Sequence, residues 1–288
     1  MQNSVLVKYK KSVQGVISKR KQALYFSFSG SRTLFVVLMS AVCIGQLGCK
    51  EVRGSGDATT ERKEEGFVEI FNGKDLEGWE GNPTYWRVED GNLVGEVSPE
   101  TPLKKNTFVI WQGGQADDFE LRLDVKITES GNSGINYRSE LLDSIPYALR
   151  GYQADIDGKN RYTGQNYEER KRTTLAYRGE KVLVKGQTDH NTAVLRDNVK
   201  KNCWQSREVV ESLGDSDSLK TKIRMEDWNH VRLVVQGNRL QHYVNGILMS
   251  DVTDNDSVNR KMSGHLGMQV HVGPPMKVAY KNIFLKEL

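Results

Sequence analysis

Gln153, Asp155 and Asp157 alternate with Tyr152, Ala154 and Ile156 in the stretch Gly151–Asp157. In a strand, successive side chains point to opposite faces. One face is therefore polar and acidic, and the other is apolar and suited to a core. Two carboxylates at i and i+2 are close enough for one to raise the pKa of the other, which suits a general base or acid. The same spacing also fits a solvated strand face that ends in an Asp157-Gly158 turn.

Two further stretches repeat the pattern. Gly134-Ile135-Asn136-Tyr137-Arg138 sets Asn136 and Arg138 against Ile135 and Tyr137. Met268-Gln269-Val270-His271-Val272 sets Gln269 and His271 against Met268, Val270 and Val272. If the three strands share a sheet, their polar faces form a site for an uncharged, hydroxyl-rich ligand. Arg138 is then either a donor to a sugar oxygen or developing oxyanion, or a structural partner of one of the Asp residues. His271 ends its strand beside Gly273-Pro274-Pro275, where a proton-transfer role competes with a structural one. Between Tyr162 and Arg172 the chain is dense in aromatic and charged residues. Tyr162 and Tyr167 could stack on sugar faces, and Glu168 or Glu169 could add a carboxylate. Asp155, Asp157 and backbone carbonyls could hold a divalent cation such as Ca²⁺, although no ligand spacing demands a metal or any other cofactor.

The elements that must position these residues are strands. Phe119–Ile127 alternates without a fault. Trp86–Glu89 and Asn92–Val94 flank Asp90-Gly91, a two-residue hairpin turn. Phe67–Phe71, Phe108–Trp111, Trp228–Val235, Arg239–Val244, Ile247–Met249, Leu266–Val272 and Lys277–Leu285 read the same way. Helical periodicity is confined to Ser216–Lys222, with Ser216 or Asp217 as the cap. Evenly spaced strands without βα alternation imply an all-β, antiparallel sandwich of jelly-roll type. Residues 158–215 are the least regular and are expected to be long loops carrying about two strands, laid over one sheet.

Residues 66–288 form the expected domain. Residues 1–32 are basic and polar, and Leu34–Ile44 is an unbroken apolar or small run, shorter than the ~20 residues a membrane span needs. A basic flank before such a run is the pattern of an export signal. Gln46-Leu47-Gly48-Cys49 resembles a bacterial lipobox, with Leu47 one place nearer the cysteine than usual, so Cys49 is the expected lipidation site. Residues 1–49 are thus a leader, and residues 50–65, with almost no apolar content, are a tether. The expected location is the cell envelope or periplasm, with membrane attachment by the lipid anchor alone.

Of 41 Lys and Arg and 37 Asp and Glu, residues 1–65 hold 11 and 5, so residues 66–288 hold 30 and 32. The basic excess lies outside the domain, which argues against a nucleic-acid partner. Cys203 is the one cysteine after residue 65, so the domain has no internal disulfide. No P-loop, Gly-x-Ser-x-Gly or His-Glu-x-x-His motif is present.

Several short strings occur together in one order: Phe71-Asn72-Gly73-Lys74-Asp75-Leu76-Glu77-Gly78-Trp79, Trp86–Gly91, Asn132-Ser133-Gly134-Ile135, Gly151–Asp157, Tyr167-Glu168-Glu169, Asp227-Trp228-Asn229, Val244-Asn245-Gly246 and Gly273–Val278. Jointly they resemble the bacterial 3-keto-disaccharide (3-keto-glycoside) hydrolase family, with Lys171 standing where a glycine is common. The resemblance implies a concanavalin-like lectin/glucanase jelly roll, often exported or lipid-anchored. It also implies cleavage that begins with removal of the C2 proton next to a C3 ketone. On that reading Asp155, Asp157 or His271 is the base or acid, Arg138 and Gln153 hold the keto oxygen, and Glu168 assists from its loop. Asn136, Tyr162, Tyr167 and Gln269 contact the sugar, and a partner oxidoreductase supplies the 3-keto substrate. The alternative is a carbohydrate-binding module of the same fold without catalysis.

Overall fold

The computed structural model describes residues 66–186 and 207–288. The expectations for Cys49, the leader and the tether lie outside the described residues.

The strands are β1 (Val68–Glu69), β2 (Trp79–Gly81), β3 (Trp86–Glu89), β4 (Asn92–Val97), β5 (Thr107–Trp111), β6 (Phe119–Ile127), β7 (Asn132–Leu141), β8 (Leu149–Asp157), β9 (Asn166–Glu169) and β10 (Thr173–Ala176). They continue with β11 (Glu180–Val184), β12 (Arg207–Ser212), β13 (Asn229–Gln236), β14 (Arg239–Val244), β15 (Ile247–Asp254), β16 (His265–Val270) and β17 (Met276–Glu287). Among the described residues there is one short helix, α1, covering Ser216–Lys220. Its cap is Asp215, one residue before the expected cap, because Asp215 takes an extended backbone and its side chain accepts from the Ser218 amide.

The strands form two sheets. The larger has ten strands in the order β12-β11-β15-β14-β13-β6-β17-β4-β3, with β1 added against β17. The smaller has seven, in the order β10-β9-β8-β7-β16-β5-β2. All pairings are antiparallel except β11 with β15. The expected antiparallel sandwich is thus the observed fold. Residues 158–215 carry more regular structure than expected: β9 and β10 extend the smaller sheet, and β11 and β12 form an edge of the larger one. These strands are four to six residues long and gain their order from pairing with distant strands, so local alternation is a weak signal for them.

The core lies between the sheets. Leu121, Leu123 and Val125 of β6 and Val231 and Leu233 of β13 face Ile135 and Tyr137 of β7 and Tyr152, Ala154 and Ile156 of β8, all buried. Each fully buried aliphatic side chain of this kind contributes about 1.5–3 kcal/mol. The Tyr137 and Tyr152 rings stack at 5.6 Å. Their hydroxyls are satisfied inside the core: Tyr137 Oη meets His242 Nε2 at 2.8 Å, and Tyr152 Oη donates to Asp254 at 2.6 Å. Burial pushes His242 down to about 4, so it sits in the core as a neutral ring. At Gly95 the sheets approach so closely that a Cβ would lie 2.6 Å from Val270 and 2.7 Å from the Trp86 ring.

Candidate active site

With Tyr152, Ala154 and Ile156 turned into the core, strand alternation turns Gln153 and Asp155 to the outer face of the smaller sheet. The β7–β8 register places Asn136 opposite Gln153 and Gly134 opposite Asp155. A Cβ at Gly134 would fall 2.4 Å from Gln153 Cδ, so the glycine makes room for the Gln153 side chain to lie flat across β7. On the other side of β8, Gln153 pairs with Tyr167 of β9. This face opens into a cavity of about 210 Å³ lined by Gln153, Asp155, Tyr167 and Glu169, with His271 at one end. Tyr162 and Tyr177, both about two-fifths exposed, form its rim.

Asp155 is the centre of the cavity. Gln153 Nε2 donates to one carboxylate oxygen at 2.6 Å, and Gln165 Nε2 donates to the other. Gln153 in turn accepts from Gln269 Nε2 at 3.1 Å. The chain Gln269→Gln153→Asp155 fixes which way each amide points. Burial pushes Asp155 up to about 7; the two amide donors pull it down, and the nearby Glu169 and Asp157 charges add to the rise.

Asn106 ties the cavity together from the loop before β5. Its Nδ2 donates to Glu169 Oε1 at 3.1 Å, and its Oδ1 accepts from the Val272 amide at 2.9 Å. His271 therefore stands on a segment pinned to the second carboxylate. His271 Nδ1 faces the Val272 carbonyl at 2.6 Å. A carbonyl only accepts, so Nδ1 carries a proton and donates it there. The Tyr167 phenol is pushed up to about 12 by burial and then by Glu169 and Asp155, so it remains a donor at neutral pH.

The other sequence candidates are placed elsewhere. Asp157 is fully buried and accepts from the backbone amides of Arg161, Tyr162 and Thr163 at 2.7–3.1 Å. It staples the loop that carries Tyr162, and its oxygens are occupied, so Asp155 and Asp157 do not form the paired cation site their spacing allowed. Among the described residues no group of three or more His, Cys, Asp or Glu could hold a metal ion.

Arg138 also leaves the expected face. A bulge between Tyr137 and Glu140 puts Arg138 at φ 44° and breaks the alternation. Its guanidinium is 1% exposed, donating to Asp118 at 2.7 Å and to the carbonyls of Asp117 and Gly237. The structural alternative for Arg138 thus describes its setting, with Asp118 rather than Asp155 or Asp157 as its acidic partner.

Glu168 pairs with Tyr152 across β8–β9 and so turns inward with it. There it joins Arg172, Asp254 and Asp256 in a fully buried ion cluster. Glu169, one residue on, is the carboxylate that reaches the cavity. Asn136 and Gln269 are fully buried behind Gln153, and neither lines the cavity. The parity of Tyr167 with Glu169 could have singled out Glu169. Gln165, Thr174, Tyr177 and Asn106 carried no comparable sequence signal, because their place depends on pairings made far along the chain.

Comparison with known proteins agrees with this architecture. A family model described as 3-keto-alpha-glucoside-1,2-lyase-like domain matches residues 66–286. A 3-keto-disaccharide hydrolase from Bacteroides thetaiotaomicron is 31% identical over 87 residues, covering 28% of this chain and 30% of that protein. The match therefore spans less than a third of the curated relative's length. A crystal structure of a candidate glycosyl hydrolase from Parabacteroides distasonis superposes with a TM-score of 0.50 at 21% identity, covering 81% of this chain and 98% of the other. A second candidate glycosyl hydrolase from the same organism gives a TM-score of 0.48 at 16% identity, covering 77% and 99%. At these identities the similarity to solved structures concerns the fold.

Proposed function

The chain belongs to the 3-keto-alpha-glucoside-1,2-lyase-like domain family, and on that premise we propose that its domain cleaves 3-keto-glycosides by proton abstraction next to the ketone. A C3 ketone acidifies the C2 hydrogen. Asp155 takes that proton, and the electron pair forms an enolate whose oxygen accepts from the Tyr167 phenol. The enolate re-forms the ketone, makes a C1–C2 double bond and expels the C1 substituent, which leaves as an alcohol with the proton that Asp155 took from C2. For hydrolysis, water adds back across the double bond, hydroxyl to C1 and hydrogen to C2. Glu169 and Gln153 hold ring hydroxyls.

The observation that carries this reading is Asp155 itself. A carboxyl held near 7 by burial, gripped by two amides and open to a cavity, is matched to accepting and returning a proton at neutral pH. The two carboxylates need no fixed separation, since no oxocarbenium ion forms. The substrate must come from an enzyme that oxidises a C3 hydroxyl, so an oxidoreductase is the proposed partner. Export and lipidation at Cys49 complete the proposal, and loss of membrane-fraction recovery on Cys49→Ala is their test.

The reaction is tested by incubating the protein with a 3-keto-glucoside and, separately, with the unoxidised glucoside. Aglycone release from the keto form alone, lost in Asp155→Asn, is expected. Equal release from both substrates, or full turnover in Asp155→Asn, would overturn the assignment.

A further inference from the structure

The outer face of the larger sheet turns away from the cavity of Asp155. Over much of it the polar side chains are closed on one another: Glu120 pairs with Arg122 and Arg232, and Arg87 with Glu89 and Glu96. At one end this pattern stops. Two adjoining depressions of about 270 and 370 Å³ open there, and both are lined by Asp90, Asn92, Lys126 and Trp228.

The floor of the first is flat and apolar because β17 and β4 place Ala279 against Val94. Trp228 stands beside this floor, partly exposed, with Lys281 Nζ 3.9 Å and Lys126 Nζ 5.1 Å from its ring. Both lysines are at least partly in solvent, so their ammonium groups can leave the ring when another group takes their place. Asn92 uses its Nδ2 on the carbonyls of Glu89 and Asp90, which leaves its Oδ1 to accept from a ligand.

We propose that this groove is a second, non-catalytic carbohydrate site that binds a neutral oligosaccharide across Trp228. An indole ring offers a flat surface to the C–H face of a sugar, and the lining around it supplies both donors (Lys126, Lys281) and acceptors (Asp90, Glu226), as a ring of hydroxyls requires. The ligand is uncharged because the lining has no cationic excess to recruit an acidic glycan: Lys126, Lys277 and Lys281 stand among Glu69, Glu89, Asp90 and Glu226, with Lys277 paired to Glu89. Two depressions joined end to end accommodate several sugar units, whereas the cavity of Asp155 suits a single ring. The groove therefore holds a glycan chain on the domain while the other sheet works on short substrates. None of its residues takes part in the proposed elimination, so the two sites are separable.

The test is titration calorimetry of the whole protein with maltohexaose, cellohexaose and xylohexaose, and with polygalacturonate as the acidic control. Binding of at least one neutral hexasaccharide is expected. It should persist in the Gln153→Ala/Asp155→Asn double variant and weaken at least tenfold in Trp228→Ala. Ala279→Phe, which fills the floor and keeps the indole, should weaken it similarly. Both groove variants should cleave 3-keto-glucoside at the wild-type rate, which also reports that they fold. Binding lost with the cavity substitutions and unchanged in Trp228→Ala would overturn the proposal. So would no binding of any neutral probe, or binding of polygalacturonate alone.

Discussion

Replacing Asp155 with Asn should abolish turnover and, above neutral pH, make the protein more stable. The carboxyl is 7% exposed, and burial lifts its pKa from the ordinary 3.8 to about 7. For an acid raised in this way, the folded state binds more protons than the unfolded state between those two values. Stability therefore falls as pH rises from about 4 to about 7 and is level beyond. At about 1.36 kcal/mol per pH unit, the displacement corresponds to about 4 kcal/mol. Asn removes this dependence and, like the protonated carboxyl, offers one carbonyl acceptor and one donor, so at low pH the Gln153 and Gln165 amides meet much the same group in both proteins. The variant should match wild type within about 1 kcal/mol at pH 4 and be about 3–4 kcal/mol more stable at pH 8. For a domain of this size the Tm difference between the two proteins should swing by about 8–16 °C. Scanning calorimetry of both proteins at four pH values between 4 and 8 measures it, and kcat should fall by at least about 100-fold in parallel. A Tm difference that is flat across this range would refute the assignment of Asp155 as a buried carboxyl titrating near neutrality.

Arg138→Ala should cost about 3 kcal/mol, seen as a lower Tm, because it strips Asp118 and two carbonyls of their donor; KM of the folded fraction should not move. The neighbours Glu168 and Glu169 should separate cleanly. Glu168→Gln sets an amide NH₂ against the Arg172 guanidinium in place of an accepting oxygen and should lower the Tm, while Glu169→Gln should lower turnover about tenfold with little change in Tm. Gly134→Ala would drive its Cβ into Gln153 and withdraw the amide donor from Asp155. Losing a donor to the anion raises the pKa, so the acid limb of the kcat/KM profile should move to higher pH, which a pH–rate series would detect.

The sandwich was legible in the sequence because strand alternation is a local property with a period of two residues. Once Tyr152, Ala154 and Ile156 are apolar, Gln153 and Asp155 must share the opposite face, wherever the strand pairs. The Asp90-Gly91 hairpin was equally local: both residues have positive φ, 50° and 76°, as that dipeptide favours. Alternation likewise put Gln269 and His271 on one face.

The tertiary structure decided what alternation cannot express. Arg138 follows the pattern until a bulge, forced by pairing with β8 and β16, turns it to Asp118. Asp157 keeps its parity but sits at a strand end, where the backbone amides of the next turn claim its oxygens. Glu168 and Glu169 are adjacent and chemically alike. Only the register of β9 on β8 sends one to Arg172 and the other to the cavity. Asn106 reaches Glu169 across 63 residues of chain. By itself, then, the sequence determined the faces of the strands and the residue types available on them, because those follow from backbone geometry. Which of those residues meet, and which are consumed as scaffold, depended on register, bulges and contacts made at long range.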